Sequence, residues 1–497
     1  MFIGIDLGTS SIKTILIDEN QKTIGFATHS IELSNPASGF FEQNPDSWFT
    51  ATLKCFDKLK NEFPKEYRAT QSIGISGQMH GATLIGKDLS VLRPCILWND
   101  TRSMDQCIEM EKKYPLLREL TGNIAMPGFT APKLLWIKKN EPNIFNNIYK
   151  ILLPKDYLRL KFTGLFFTEM SDASGTLWLD VKNRQWSEEL LNLTDLNLSQ
   201  MPELVEGSDS TGVFSSKIKE ELGFEKNIIV AGGAGDQAAG AIGLGVINQN
   251  QSMISLGTSG VYFSPTSKYS SNTNQAVHSF CHCMPGIWHH MSVMLSATNC
   301  FNWLCHMHGL EIRAALDKAR IFFNEKFMSD ATPYFLPYLS GERTPHNNPY
   351  LRGSFHMLNT ATSLDSMLYS VIEGISFGIR DGYEAVHLVS PESENIYITG
   401  GGSKSDFWVD LMASVLNQRI ILGEGSDLGP ALGAARLAML ATKKYNTSEI
   451  VSNIKTIKEF FPSSRVVERL QNRYHVWKEI VNVNKSIAKK LINEKYE

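Results

Sequence analysis

Cysteine is scarce. Seven residues (Cys55, Cys95, Cys107, Cys281, Cys283, Cys300 and Cys305) in a chain of 497, odd in number and widely spaced, make no disulfide framework, and a reducing, cytoplasmic setting is expected. Long apolar runs are missing too: no stretch approaches about 18 uninterrupted apolar residues, so no membrane span is expected. The chain opens with MFIGIDLG, which has neither the basic nor the apolar region of a secretory leader. Neither sign of charge is in excess. The 48 Lys and Arg against 51 Asp and Glu leave a net −3, which argues against nucleic acid as a main partner. A small anionic ligand survives that exclusion, because a few backbone amides can hold one. The phosphate loop G-x-x-x-x-G-K-[ST] occurs nowhere, so any nucleotide is held another way. Arg380-Asp381 lacks the preceding His and the downstream Asn of a protein-kinase catalytic loop.

What is present describes an ordinary globular chain, 42% hydrophobic and 20% charged, long enough for two to four domains at roughly 100–200 residues each. It repeats itself. Residues 5–12 read IDLGTSSI and residues 254–261 read ISLGTSGV, each a tight Gly-Thr-Ser turn between apolar segments. A second echo pairs SIGISGQMHG (72–81) with NIYITGGGSKS (395–405), in the same order. Two domains of one ancestry follow, with a boundary near 244–250 where Gly/Ala-rich sequence turns polar. Helical spacing covers 47–63, 104–119, 133–140, 363–388, 406–417 and 430–442. Strand-like runs cover 2–7, 12–17, 227–231, 253–256, 261–264 and 396–399. The alternation argues for an α/β class. Val467, Leu470, Tyr474, Trp477 and Val481 predict a terminal helix packed on its own domain.

The candidate chemistry sits at the repeats. In Asp6-Leu7-Gly8-Thr9-Ser10, glycine admits close backbone approach, and consecutive N–H groups with hydroxyls can cradle phosphate. Asp6 ends an apolar strand, a costly place for a carboxylate without a partner or cation, and Lys13 follows. A locally satisfied hairpin turn is the alternative. Asp236, in AGGAGDQAAG, falls at a helix N-terminus and either orients a substrate hydroxyl or only caps the helix. The same segment mimics G-x-G-x-x-A of dinucleotide folds, but the acid expected about 20 residues later is missing. His278, Cys281, His282, Cys283, His289 and His290 lack zinc spacing and read as residues of a strand pair. Gln78-Met79-His80 and Trp98-Asn99-Asp100 follow apolar runs and combine polar groups with an apolar wall, as a polyol site requires.

Together with MPGFTAPKLLW, LLPKDYLRL, MSDASGT, FLPYLSGERTPHNNP and GPALGAARLA, these segments make nearly the whole chain resemble the FGGY carbohydrate kinases. Gly128-x-Thr130-x-x-Lys133-Leu134-x-Trp136-Ile137 fits a family signature, and GQMHG marks the branch that phosphorylates D-xylulose. The resemblance implies two actin-like (ribonuclease H-like) domains around a central cleft: 1–246 with sugar site, phosphate loop and catalytic acid, 247–445 with the ATP site, and 446–497 as a helical extension. It implies transfer of the ATP γ-phosphoryl group to a sugar hydroxyl, with ATP and Mg²⁺ as cofactors. The carried-over roles make Asp236 the general base and Asp6 the acid that orients Mg²⁺ through water. Met79, His80, Trp98, Asp100 and Gln237 become sugar contacts. Thr9, Ser10, Lys13, Gly257, Thr258, Asn302, Gly401, Gly402 and Ser405 become ATP contacts. The partners implied are the sugar and ATP alone; a homodimer is left open. Two departures stand out. Met357 occupies a position where many relatives have glycine, and Met79-His80 replaces the Arg-Glu pair of the family's glycerol kinases. The alternatives are another pentulose or polyol kinase, or a non-metabolic actin-like ATPase, which would have no use for a polyol site.

Overall fold

The computed structural model describes residues 1–326, 332–451 and 455–493. Two seven-stranded mixed sheets frame it. The first runs Thr23–Ser30, Ser11–Ile17, Phe2–Leu7, Ser72–Gly77, Ile229–Ala231, Ser210–Val213, with Ala234–Gly235 also pairing the end of Ser72–Gly77. The second runs His278–Cys281, Trp288–Met294, Gly260–Thr266, Gln251–Leu256, Asn395–Thr399, Ile420–Gly423, Thr456–Phe460. In each, an antiparallel hairpin leads to two more strands parallel to its first, and an antiparallel strand closes that edge. The two sequence echoes therefore occupy equivalent places. Asp6 pairs with Ser76 and Ser255 with Thr399.

A third correspondence went unread in the sequence. In each unit the second of the two parallel strands leads to a small-residue helix, Asp236–Gly243 in one and Pro430–Ala441 in the other. These helices cross at glycine: a Cβ on Gly433 would lie 1.8 Å from the Ala239 carbonyl oxygen. The second helix also lies across the first sheet, where Cβ atoms on Gly4 and Gly74 would meet the Ala431 and Ala434 carbonyls at 2.0 and 1.9 Å. Arg436 binds the two units together by donating to the Ile242 and Gly243 carbonyls at 2.9 and 3.0 Å, satisfying the end of the first helix. The seam between units is backbone on backbone.

Most expected elements form within two or three residues. The stretch 104–119 divides into Met104–Lys113 and Leu117–Thr121, because Pro115 forbids a continuous helix and Tyr114 before it is extended. The terminal helix runs Ser464–Asn493 and buries Leu470, Tyr474, Trp477 and Val481. Trp477 donates to the Phe335 carbonyl at 2.9 Å, and Arg473 grips Glu373 through two bonds of 2.7 and 2.6 Å. Residues 452–454 and 494–497 of the expected 446–497 extension lie outside the described residues. Met357 is exposed with φ +61°, the left-handed region where glycine sits without cost.

Candidate active site

The end of the first sheet gathers two acids. Asp6 lies on Phe2–Leu7, flanked by Ser76 on one neighbour and Lys13 on the other. The Ser76 hydroxyl donates to its carboxylate at 2.9 Å. Burial raises the Asp6 pKa, while Ser76 and Lys13 pull it back. The short strand Ala234–Gly235 comes alongside Ser76 and Gly77 and delivers Asp236 as the first residue of its helix, with Gly235 as N-cap. The Asp236 carboxylate accepts the Gln237 backbone N–H at 2.8 Å and its side-chain amide at 3.3 Å. Burial and then the Asp6 charge push its pKa up to about 6, against the two Gln237 hydrogen bonds. Gly235, not Asp236, is the N-cap, so Asp236 binds only its neighbour Gln237 among the described residues, and an acid raised by burial and by a second acid across a strand end marks a site made for a cation or a hydroxyl proton.

The Gly232–Gly235 loop before Asp236 rests on buried charge. Arg159 donates to the Gly232 carbonyl, and the Gly235 N–H donates to Ser171 Oγ at 3.0 Å. Ser171 in turn donates to Glu169 at 3.0 Å. Lys155 lies 2.7 Å from Asp156, 3.3 Å from Asp172 and 3.5 Å from Glu169, all fully buried. Burial pushes Asp172 upward, Lys155 pulls it back, and the neighbouring carboxylates Asp156 and Glu169 add to the rise. Such a cluster adds little stability; it holds one geometry.

Met79 presses its sulfur against Gly235, where a Cβ would meet Sδ at 2.9 Å. His80 is buried, with φ +68°, a strained conformation for a residue with a side chain. Three bonds hold it there. Lys133 Nζ and Thr130 Oγ1 donate to its carbonyl at 2.8 and 3.1 Å, and its Nδ1 lies 3.0 Å from the Gly175 carbonyl. A carbonyl only accepts, so Nδ1 carries the proton and Nε2 is left as an acceptor. Burial first, then Lys133 and Arg343, keep the ring neutral. Lys133 also donates to the Gly128 carbonyl at 2.8 Å, and burial lowers its pKa to about 7.

Trp98 and Thr9, expected in separate subsites, touch: the indole N–H donates to Thr9 Oγ1 at 3.0 Å. Thr9 Oγ1 donates onward to Gln78 at 3.2 Å, and Gln43 binds both the Thr9 carbonyl at 2.7 Å and Gln78 at 2.9 Å. Asp100 is almost wholly buried, its oxygens taken by Arg102 and the Phe41 N–H at 2.7–3.0 Å. Its neighbours are the protein's own donors.

On the second unit, Asn302, Gly401, Gly402 and Ser405 line one cleft of about 800 Å³, with Thr298 and Phe301. Gly257 closes its hairpin by donating to the Ser259 carbonyl at 3.0 Å, and its own carbonyl accepts Thr298 Oγ1 at 2.8 Å, so the hairpin abuts that cleft. Thr258 and Ser10 stand exposed at the two hairpin tips. Lys13 links the units by donating to the Asp427 carbonyl at 3.1 Å. Among the described residues, no group of three His, Cys, Asp or Glu side chains is arranged to hold a metal; His278 and Cys281 bound one strand, and His289 and His290 lie on its partner.

Sequence reasoning missed Gln43, Lys133, Ser171, the Lys155 cluster and Arg343. Charged residues inside the apolar run LLPKDYLRL and the signature lysine were the available signals.

Residues 1–243 match the N-terminal domain of the FGGY family of carbohydrate kinases, and residues 252–442 match its C-terminal domain. The chain belongs to this family. An FGGY relative, the xylulose kinase of Escherichia coli, is 46% identical over 441 residues, 89% of this chain and 90% of its own. The xylulose kinase of Staphylococcus xylosus is 34% identical over 488 residues, 96% and 99% of the two chains. The crystal structure of a xyloylose kinase from Brucella ovis superposes with a TM-score of 0.94 at 41% identity, covering 98% of this chain and 99% of that one.

Proposed function

We propose that this FGGY kinase transfers the γ-phosphoryl group of ATP to O5 of D-xylulose. The observation that carries the reading is the pairing of Asp236, whose preceding Gly235 packs against Met79, with a separate cleft lined by Asn302 and Gly401. The relatives named xylulose kinase, similar over nearly the full chain, support the choice of sugar.

The chemistry assigned to each residue follows from its surroundings. The O5 hydroxyl forms the new O–P bond, the bond from the γ-phosphorus to its bridging oxygen breaks, and Asp236 takes the O5 proton. A group with pKa about 6 is mostly ionised at pH 7, yet is a stronger proton acceptor than an ordinary carboxylate. The transition state is loose, so Asp236 chiefly orients the hydroxyl and receives the proton late. Thr9, Ser10 and Lys13 from one hairpin and Gly257 and Thr258 from the other hold the phosphates. The crossing of the two small-residue helices provides the seam about which the units close, excluding water.

Asp6 suits Mg²⁺: among the described residues its carboxylate has one hydroxyl donor and no ion-pair partner, and a second acid stands across the strand end. Asp6 would hold Mg²⁺ together with the triphosphate oxygens, where the ion would neutralise phosphate charge; among the described residues no group of three His, Cys, Asp or Glu side chains would hold it alone. The test is ADP release with D-xylulose, D-ribulose, L-rhamnulose, gluconate and glycerol. Highest kcat/KM is expected for D-xylulose; preference for another sugar replaces the substrate, and sugar-independent turnover removes the kinase reading.

A further inference from the structure

Arg343 is unlike the other arginines at this end of the molecule. Arg102, Arg159 and Arg184 each grip a carboxylate within 3 Å. Arg343 does not: its guanidinium has one hydrogen-bond partner among the described residues, His278 Nε2 at 3.5 Å from NH1. It belongs to the second unit, on the segment 341–348, yet NH2 would stand 3.9 Å from a Cβ on Gly128 of the first unit, which also faces the Trp98 carbonyl.

The residues around it fix its role. Asn123 Nδ2 donates to the Thr121 and Ser279 carbonyls at 2.7 and 3.0 Å, which leaves Asn123 Oδ1 as acceptor for His278 Nδ1 at 3.0 Å. His278 is then protonated on Nδ1 and presents Nε2 as an acceptor to the guanidinium. His80, protonated on Nδ1 by the same argument, has its Nε2 lone pair free. His80, Phe129, His278 and Phe280 form one aromatic cluster across the two units, with ring centroids 4.6–6.1 Å apart. Behind it, the Arg343 backbone N–H donates to Glu342 at 2.8 Å, and Glu342 also accepts the Leu295 N–H at 2.9 Å. Burial pushes Glu342 up to about 8 against these two backbone bonds and the Arg343 charge, and its carboxylate makes no ion pair with the guanidinium among the described residues. The groups that set His80 are Lys133 and Arg343, whereas those that set Asp236 are Asp6 and Gln237. Through His278, whose ring shares the cluster with His80, Arg343 stands at the His80 end of the site.

We propose that Arg343, supplied by the second unit, reads the C2 carbonyl of the open-chain pentulose and so separates ketoses from the corresponding pentitols. A guanidinium has donors only. A carbonyl oxygen has acceptor capacity only, whereas a pentitol hydroxyl in its place must also find an acceptor for its own proton, and a cation offers none. Beside it, His80 Nε2 is the acceptor matched to a neighbouring sugar hydroxyl. The inference rests on the D-xylulose reading above.

The experiment compares kcat/KM for D-xylulose and for xylitol and D-arabinitol in the wild-type enzyme and in Arg343→Ala, Arg343→Gln and Arg343→Lys. In Arg343→Ala and Arg343→Gln, the ketose-to-pentitol ratio is expected to fall at least about tenfold, the scale of one hydrogen bond to a charged group. The loss should be seen mostly in KM, and millimolar guanidinium should restore part of the ketose activity of Arg343→Ala. Arg343→Lys keeps the charge and guards against a misfolded variant; its ratio should lie between wild type and Ala. Equal loss on ketose and pentitol, or no loss at all, overturns the proposal and reduces Arg343 to a structural contact between units. A wild-type enzyme that ignores D-xylulose instead removes the substrate reading on which it rests.

Discussion

The two halves share one strand order and differ in what stands at equivalent positions. Phe2–Leu7 carries Asp6 beside Ser76; Gln251–Leu256 carries Ser255 beside Thr399. The first helix of the seam opens Gly235-Asp236 and the second Gly429-Pro430. After Ser72–Gly77 the chain continues Gln78-Met79-His80, bulky and hydrogen-bonding, whereas after Asn395–Thr399 come three glycines. The frame is common to both; at these three equivalent positions both acids, Asp6 and Asp236, fall in the first half. An acid raises the cost of approach by a triphosphate and lowers that of a hydroxyl or a metal, so under the proposed function the first unit is the reacting half.

Removing the acid that has no counterpart should have the greatest effect. Asp236→Asn is expected to lower kcat about 10²–10⁴-fold with sugar binding retained, by steady-state rates and calorimetric titration. Near-normal turnover there would make the two helix starts functionally alike. The same carboxyl gives the wild-type pH profile its sign. With a pKa raised to about 6, Asp236 is the active ion above that value, so kcat/KM should fall as pH drops through about 6. Asp6→Ser makes the first strand resemble the second; kcat should fall about 10²-fold and the Mg²⁺ concentration for half-maximal rate should rise. An unchanged Mg²⁺ response would move the metal elsewhere.

Smaller effects sharpen the comparison at glycine. Gly433→Ala should gain about 1 kcal/mol from helix propensity. Its Cβ, however, would stand 1.8 Å from a backbone carbonyl in a stiff helix pair, and the overpacking cost of about 1–3 kcal/mol or more wins. The melting temperature should drop. Gly401→Ala is the opposite case. No atom lies within 4 Å of its added Cβ, so stability should hold while the methyl projects beside the cleft and KM for ATP rises several-fold. A rise in KM for the sugar instead would place that cleft in the reacting half.

The sequence by itself determined the duplication, the α/β class and most of the helices and strands, because apolar periodicity and Gly-Thr-Ser turns are local signals read without knowing what lies opposite. It also brought Asp6, Asp236, Met79 and His80 forward, since acids and a histidine at strand ends are conspicuous. Tertiary structure alone decided which neighbours they have. The seam of glycine against carbonyl depends on two helices nearly 200 residues apart in the chain, and small residues carry no sign of what they face. Asp100 resembled a ligand group until Arg102 and the Phe41 N–H were seen to occupy it. Lys133 looked like a signature position, and only the folded chain shows its ammonium reaching the carbonyls of His80 and Gly128 at once. Hydrogen bonds between distant segments leave no periodicity to read, because each is set by where two backbones happen to meet.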